Sequence, residues 1–93
     1  MILQQAINHY GVEKQLNKVD EELKELKEAL KNWRNDKYEL DNVIDEMADV
    51  KIMLMQLKII LEMNCKLDIT EEVNQRIDFK LNRLKQRIED DTK

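Results

Sequence analysis

A chain of 93 residues with one glycine, no proline, 42% apolar and only 4% aromatic residues cannot readily supply the tight turns and aromatic-rich strands of a small β-sandwich or barrel. Charged residues make up 39% of it, and 16 Lys and Arg against 20 Asp and Glu leave a formal charge of −4. With the signs interspersed along the chain, attraction to a nucleic acid polymer is not expected, and one all-α domain over residues 1–93 is.

Gly11 separates a short apolar-patterned segment (Leu3, Ala6, Ile7, Tyr10) from a long one. The pattern predicts a short first helix, then a break. From Val12 to Trp33, apolar residues at Leu16, Val19, Leu23, Leu26, Leu30 and Trp33 alternate three and four apart, as one stripe of a second helix. Asn32 to Asp41 interrupts it, and Asp41 or Asn42 is the expected N-cap of a third helix reaching Met63. That helix carries two stripes, one at Val43, Met47, Val50, Leu54, Leu57 and Leu61, the other at Ile44, Ala48, Ile52, Met55 and Ile59. A helix apolar on more than one face belongs at the centre of a bundle or at an interface between copies. Thr70, followed by Glu71 and Glu72, is the expected N-cap of a fourth helix that turns Val73, Ile77, Leu81, Leu84 and Ile88 inward, with a tail from Glu89 to Lys93 that frays.

A chain this short hides only roughly 60–65% of the surface its unfolded form exposes, so completion of the bundle by homo-oligomerisation is expected. Cys65 is the sole cysteine, which excludes an internal disulfide and a Cys-based zinc site and makes a reducing cytoplasm the simplest compartment. No secretory, transit or membrane-spanning segment is expected: the first residues lack a basic run, and Lys51, Gln56 and Lys58 interrupt the most apolar stretch.

The carboxylates carry the chemistry. Glu22 and Glu25 stand three apart on one flank of the second helix, and Glu46 and Asp49 stand three apart on one flank of the third. Antiparallel packing would turn the two pairs toward each other, and crowded carboxylates either take up protons or hold a cation. An all-oxygen set favours Mg²⁺, or Mn²⁺, over zinc or iron. On the other reading, the four are solvated positions paired with lysines a turn away. On the fourth helix Arg76, Lys80, Arg83 and Arg87 form a basic stripe, which suits phosphate groups on a bound metal or, equally, acidic partners across the bundle.

The run Gln15-Leu16-Asn17-Lys18-Val19-Asp20-Glu21-Glu22-Leu23-Lys24-Glu25-Leu26, followed by Asn42-Val43-Ile44-Asp45-Glu46-Met47-Ala48-Asp49-Val50, carries an EExxE…ExxD pattern. In it the chain closely resembles the MazG-like all-α nucleoside triphosphate pyrophosphohydrolases, most of all their short phage and prophage members. The likeness extends to Tyr10–Gln15 and to Lys80–Leu84, and so covers most of the chain. EExxE alone is a weak signal, whereas both halves in order and at this separation are fairly specific.

The resemblance implies hydrolysis of a nucleoside or deoxynucleoside triphosphate between the α and β phosphates, for control or cleansing of the nucleotide pool in a bacterial or phage-infected cell. It implies Mg²⁺ held by Glu22, Glu25, Glu46 and Asp49, which would also do the catalytic work, and a homodimer or homotetramer. Lys80 and Arg83 match positions suited to phosphate contact, and Lys18, on the same flank as Glu22 and Glu25, is a further candidate to bind substrate. Gln15 or Asn42 is a candidate to hydrogen-bond a base, and Tyr10 or Trp33 to stack on one, although Trp33 also continues the leucine stripe into the core. The rival from the residues alone is a non-enzymatic helical interaction module, with the stripe from Leu16 to Trp33 pairing with a partner helix.

Overall fold

Four helices and one 3-10 turn account for nearly all of residues 1–92, which the computed structural model describes. In chain order they are α1 (Ile2–Tyr10), α2 (Val12–Asn35), the turn Lys37–Glu39, α3 (Leu40–Glu62) and α4 (Ile69–Asp91). The expected architecture of one short and three long helices is present, and among the described residues there is no strand.

Gly11 alone joins α1 to α2. Its amide closes α1 by donating to the Ile7 carbonyl at 2.8 Å, and its φ of 92° with ψ of 156° lies in a region of backbone space that is essentially glycine's. The next reversal is built differently. Asp36 takes extended angles, and its side chain accepts from the Tyr38 amide at 3.0 Å, capping the 3-10 turn that leads directly into α3. Asp36 thus does the capping expected of Asp41 or Asn42, and both of those lie inside α3, which begins at Leu40 with no side-chain cap. The fourth helix likewise starts earlier than expected. Asp68 is its N-cap, accepting from the Glu71 amide at 3.1 Å, and Thr70 is already helical. In both places several Asp, Asn or Thr residues stand within a few positions, and the one that wins is the one where the chain is still extended. The carboxy-terminal tail is helical through Asp91, beyond the expected fraying point, while Lys93 lies outside the described residues.

The short turn folds α2 and α3 into an antiparallel hairpin, and α1 packs against both, driving Ile7 between them until 2% of it is exposed. The core is small: Ile7, Val19, Ala29, Val50 and Ile60. On α2 the buried face runs through Gln15, Val19, Glu22 and Ala29, rotated by about half a residue from the leucine stripe, with Val19 common to both. Leu23 and Leu30 therefore stay exposed while Leu26 and Trp33 are half-buried. The small side chains of Val19 and Ala29 sit on the packed face, which lets the two helix backbones approach closely. Trp33 is covered further by Lys37, whose Nζ lies 3.7 Å from the ring centroid.

α4 departs from expectation. It lies against α3 and no other helix, none of its residues is buried, and Val73, Ile77, Leu81, Leu84 and Ile88 are all exposed rather than turned inward. The cause is the connection. Glu62, at the end of α3, takes an ion pair from Lys58 at 3.0 Å and accepts the Ile69 amide at 2.9 Å, pinning only the first turns of α4. Beyond them the helix leaves the body. The radius of gyration is accordingly 17.0 Å, against about 12 Å for a compact chain of this length. No helix among the described residues is long and apolar enough to cross a membrane.

Candidate metal centre

Three of the four sequence-selected carboxylates converge. One oxygen each from Glu22, Glu25 and Glu46 lies within 4.8 Å of the others. The local reasons are plain. Glu22 and Glu25 are one turn apart on the same side of α2, and the Asp36 turn sets the register that brings the Glu46 turn of α3 opposite them. Burial grades across the group. Glu22 is 6% exposed, Glu46 is half-buried and Glu25 is open to solvent.

The electrostatics are unbalanced. Lys18 bridges Glu22 at 3.2 Å and Glu21 at 3.6 Å, and its hydrogen bond to Glu22, then the Glu22 charge itself, raises the lysine's pKa. No other cation reaches the group: among the described residues neither Glu25 nor Glu46 has an ion-pair partner. The Oε2 atoms of Glu22 and Glu46 are both buried with no hydrogen-bond partner. Loss of water pushes the Glu46 carboxyl above its usual value of 4.5, and the negative charges of Glu25, Glu22 and Asp49 push it further. Two orphaned anionic oxygens beside a third carboxylate are what a hard divalent cation satisfies, and the donor set is all oxygen.

Asp49 stands apart. It is exposed and outside the converging three, yet close enough for its charge to raise Glu46. A groove of about 530 Å³, connected to the carboxylates through Lys18 and its ion pair with Glu22, is lined by Tyr10, Lys14, Gln15, Lys18, Glu21 and Met53, among others. Gln15 is 8% exposed at its floor, and Lys14 and Lys18 bring two cations to its wall. Sequence reasoning passed over Lys14 and Met53. The signal for Lys14 was its place one turn before Lys18, whereas Met53 enters only through the pairing of α3 with α2.

The remaining candidates lie elsewhere. Asn42 is exposed in the first turn of α3, one turn before Glu46, and its amide donates to Glu39. Lys80 and Arg83 are exposed on α4, with Arg83 6.0 Å from the centroid of the Phe79 ring. Because α4 makes no contact with α2, the chain does not bring these two cations to its own carboxylates. Comparison of the chain with family models, with curated proteins and with solved structures gives no match.

Proposed function

We propose that the protein is an Mg²⁺-dependent nucleoside or deoxynucleoside triphosphate pyrophosphohydrolase that releases the monophosphate and pyrophosphate. The observation that carries this reading is the pair of buried, partnerless oxygens on Glu22 and Glu46 within one three-carboxylate group. The EExxE…ExxD pattern supplies the substrate class, and the adjoining groove supports it with lysines for phosphate oxygens and Tyr10 and Gln15 for a base.

In this reading Glu22, Glu25 and Glu46 hold the cation. Bound there, it would neutralise phosphate charge and lower the pKa of a coordinated water. Lys18 orients Glu22 by its ion pair to Oε1, leaving the buried Oε2 atom without a partner and available to the cation. Lys14 and Lys18 balance charge along the phosphate chain, and Tyr10 stacks on the base. Asp49, free of the three, accepts a proton from the attacking water.

The test is to incubate the protein with each common NTP and dNTP, with Mg²⁺ or with a chelator, and to separate the products by anion exchange. Metal-dependent monophosphate and pyrophosphate are expected, with turnover falling on the order of a thousandfold in Glu46→Gln. Diphosphate with orthophosphate would show that a different bond is cut. Undiminished turnover in Glu46→Gln would remove the carboxylate assignment.

A further inference from the structure

A second groove, of about 640 Å³, opens where the carboxy-terminal half of α3 meets the first turns of α4. That volume lies in the range of small-molecule sites, and no residue of the carboxylate group lines it. Helical register builds it. Lys51, Leu54, Met55, Lys58 and Leu61 recur three and four apart along one side of α3, and Ile69 and Val73 face them from α4. The walls are aliphatic on both sides, yet Leu54, Met55, Leu61 and Val73 stay 45–57% exposed. Apolar surface gathered in a groove and left this open marks a place for a ligand.

The two ends of the groove differ. At one, the Glu62 clasp draws α4 onto α3, and the chain itself crosses between the helices over residues 63–68, so the groove ends there. At the other, α4 has departed: its last lining residue is Asn74, while α3 continues the wall to Lys51. From Leu61 back to Lys51 that wall runs about 15 Å at the rise of a helix. The charge at the mouth is unmatched. Although the chain carries 20 Asp and Glu, none lines the groove. Lys58 is paired with Glu62, whereas Lys51 is exposed and, among the described residues, has no ion-pair partner. Its own helix cannot give it one, because the positions three and four away are Met47, Ala48, Leu54 and Met55.

We propose that this groove binds the free anion of a single-chain, medium-length fatty acid, tail first, with the carboxylate at Lys51. A slot that is aliphatic along its walls and closed at one end takes an unbranched alkyl chain by its tip, whereas a partner helix needs a trough open at both ends. One lysine is a point charge that suits a singly charged carboxylate; a phosphate head calls for several donors or an arginine fork. At the open mouth the carboxylate stays in water beside the exposed Lys51 ammonium, so neither charge is buried. Because the tail touches both walls, bound ligand holds α4 to α3 by more than the Glu62 clasp. The site is separate from the three carboxylates, and the inference does not rest on the pyrophosphohydrolase reading.

The experiment titrates methyl-labelled protein with decanoate, kept below its micelle-forming concentration, and follows the methyl signals by NMR. Saturable shifts are expected at Leu54, Met55, Leu61, Ile69 and Val73, with Leu84 and Ile88 unmoved. Affinity is expected to fall about fourfold for each methylene removed, through octanoate to hexanoate. Lys51→Gln should weaken decanoate about threefold and leave decanol unchanged. Val73→Trp fills the groove from α4, where no residue is buried, and should abolish binding; Met55→Trp repeats the test from α3, and circular dichroism shows whether each variant is folded. The absence of a saturable shift, or unreduced binding by the folded tryptophan variants, overturns the proposal. Equal shifts at Leu84 and Ile88 also overturn it, by showing adsorption to every exposed apolar strip. A Lys51→Gln variant that binds decanoate as the wild type does removes the lysine and with it the choice of a carboxylate. Groove signals that move with protein concentration and resist decanoate overturn it in favour of a second copy. Sedimentation with phosphatidylglycerol vesicles, without binding of free decanoate, overturns it in favour of a membrane surface.

Discussion

The α1–α3 body and the α4 arm are made of similar material and end up in opposite states. Both have an apolar residue every three or four positions and both are heavily charged, yet the body hides Ile7, Val50 and Ile60 while α4 hides nothing. The difference lies in the connections. Gly11 and the Asp36 turn each reverse the chain within a few residues and close it on a neighbour, whereas the link to α4 ends in a clasp at Glu62 that holds only the first turns. Amphipathicity marks a face to be covered; it does not name what covers it.

Equal side-chain deletions on the two sides sharpen this contrast most. Ile60→Ala is expected to cost about 2–5 kcal/mol in urea unfolding, as for other buried isoleucines. Leu84→Ala should cost little at high dilution, and a cost that grows with protein concentration would show that α4 is covered by another copy.

The joints come next. Gly11→Ala meets no atom within 4 Å of the added carbon, so any loss comes from backbone angle alone; about 1–3 kcal/mol is expected from thermal unfolding. Neutral stability would mean that α1 and α2 can be joined at another angle.

A smaller effect of the opposite sign is expected inside the body. Gln56 is 1% exposed, its amide donates to the Leu3 carbonyl at a long 3.4 Å, and its Oε1 has no partner. Gln56→Met keeps the volume and removes the orphan, and should stabilise by about 1 kcal/mol. A loss instead would mean that the Leu3 contact holds α1 in place.

The clasp gives the smallest effect and a pH signature. The Ile69 amide and then Lys58 hold the Glu62 carboxyl below its usual 4.5. Its contribution is therefore complete above about pH 4.5 and lost as pH falls through the lower, folded value. Protection of the Ile69 amide, taken relative to its intrinsic exchange rate, should fall over that acid range in the wild-type protein and be low throughout in Glu62→Gln. Identical profiles would show that the clasp does not hold α4.

Much of this was legible in the residues. Helix number and order followed from apolar spacing, and the convergence of Glu22, Glu25 and Glu46 followed from two pairs three apart on helices that a short turn makes antiparallel. Other features were hidden for physical reasons. Caps were misassigned because Asp36, Asp41, Asn42, Asp68 and Thr70 have similar capping chemistry, and only the extended backbone distinguishes the users. The leucines of α2 outlined a face whose packed edge, through Gln15, Glu22 and Ala29, lies about half a position to one side of it. The inward turn expected of α4 failed because the pattern of a covered helix is the same whether the cover comes from its own chain or from elsewhere.

Gly11 is the point at which the chain's handedness is relaxed. It is the chain's only achiral residue, and among the described residues the only one with positive φ. The requirement there is one of handedness and not of space, since the position opens on nothing. A D-alanine would have the φ preference that an L-residue lacks, while narrowing the choices of the unfolded chain. At 93 residues the protein is within reach of chemical ligation, so one stereocentre can be inverted at the α1–α2 joint with every other side chain unchanged.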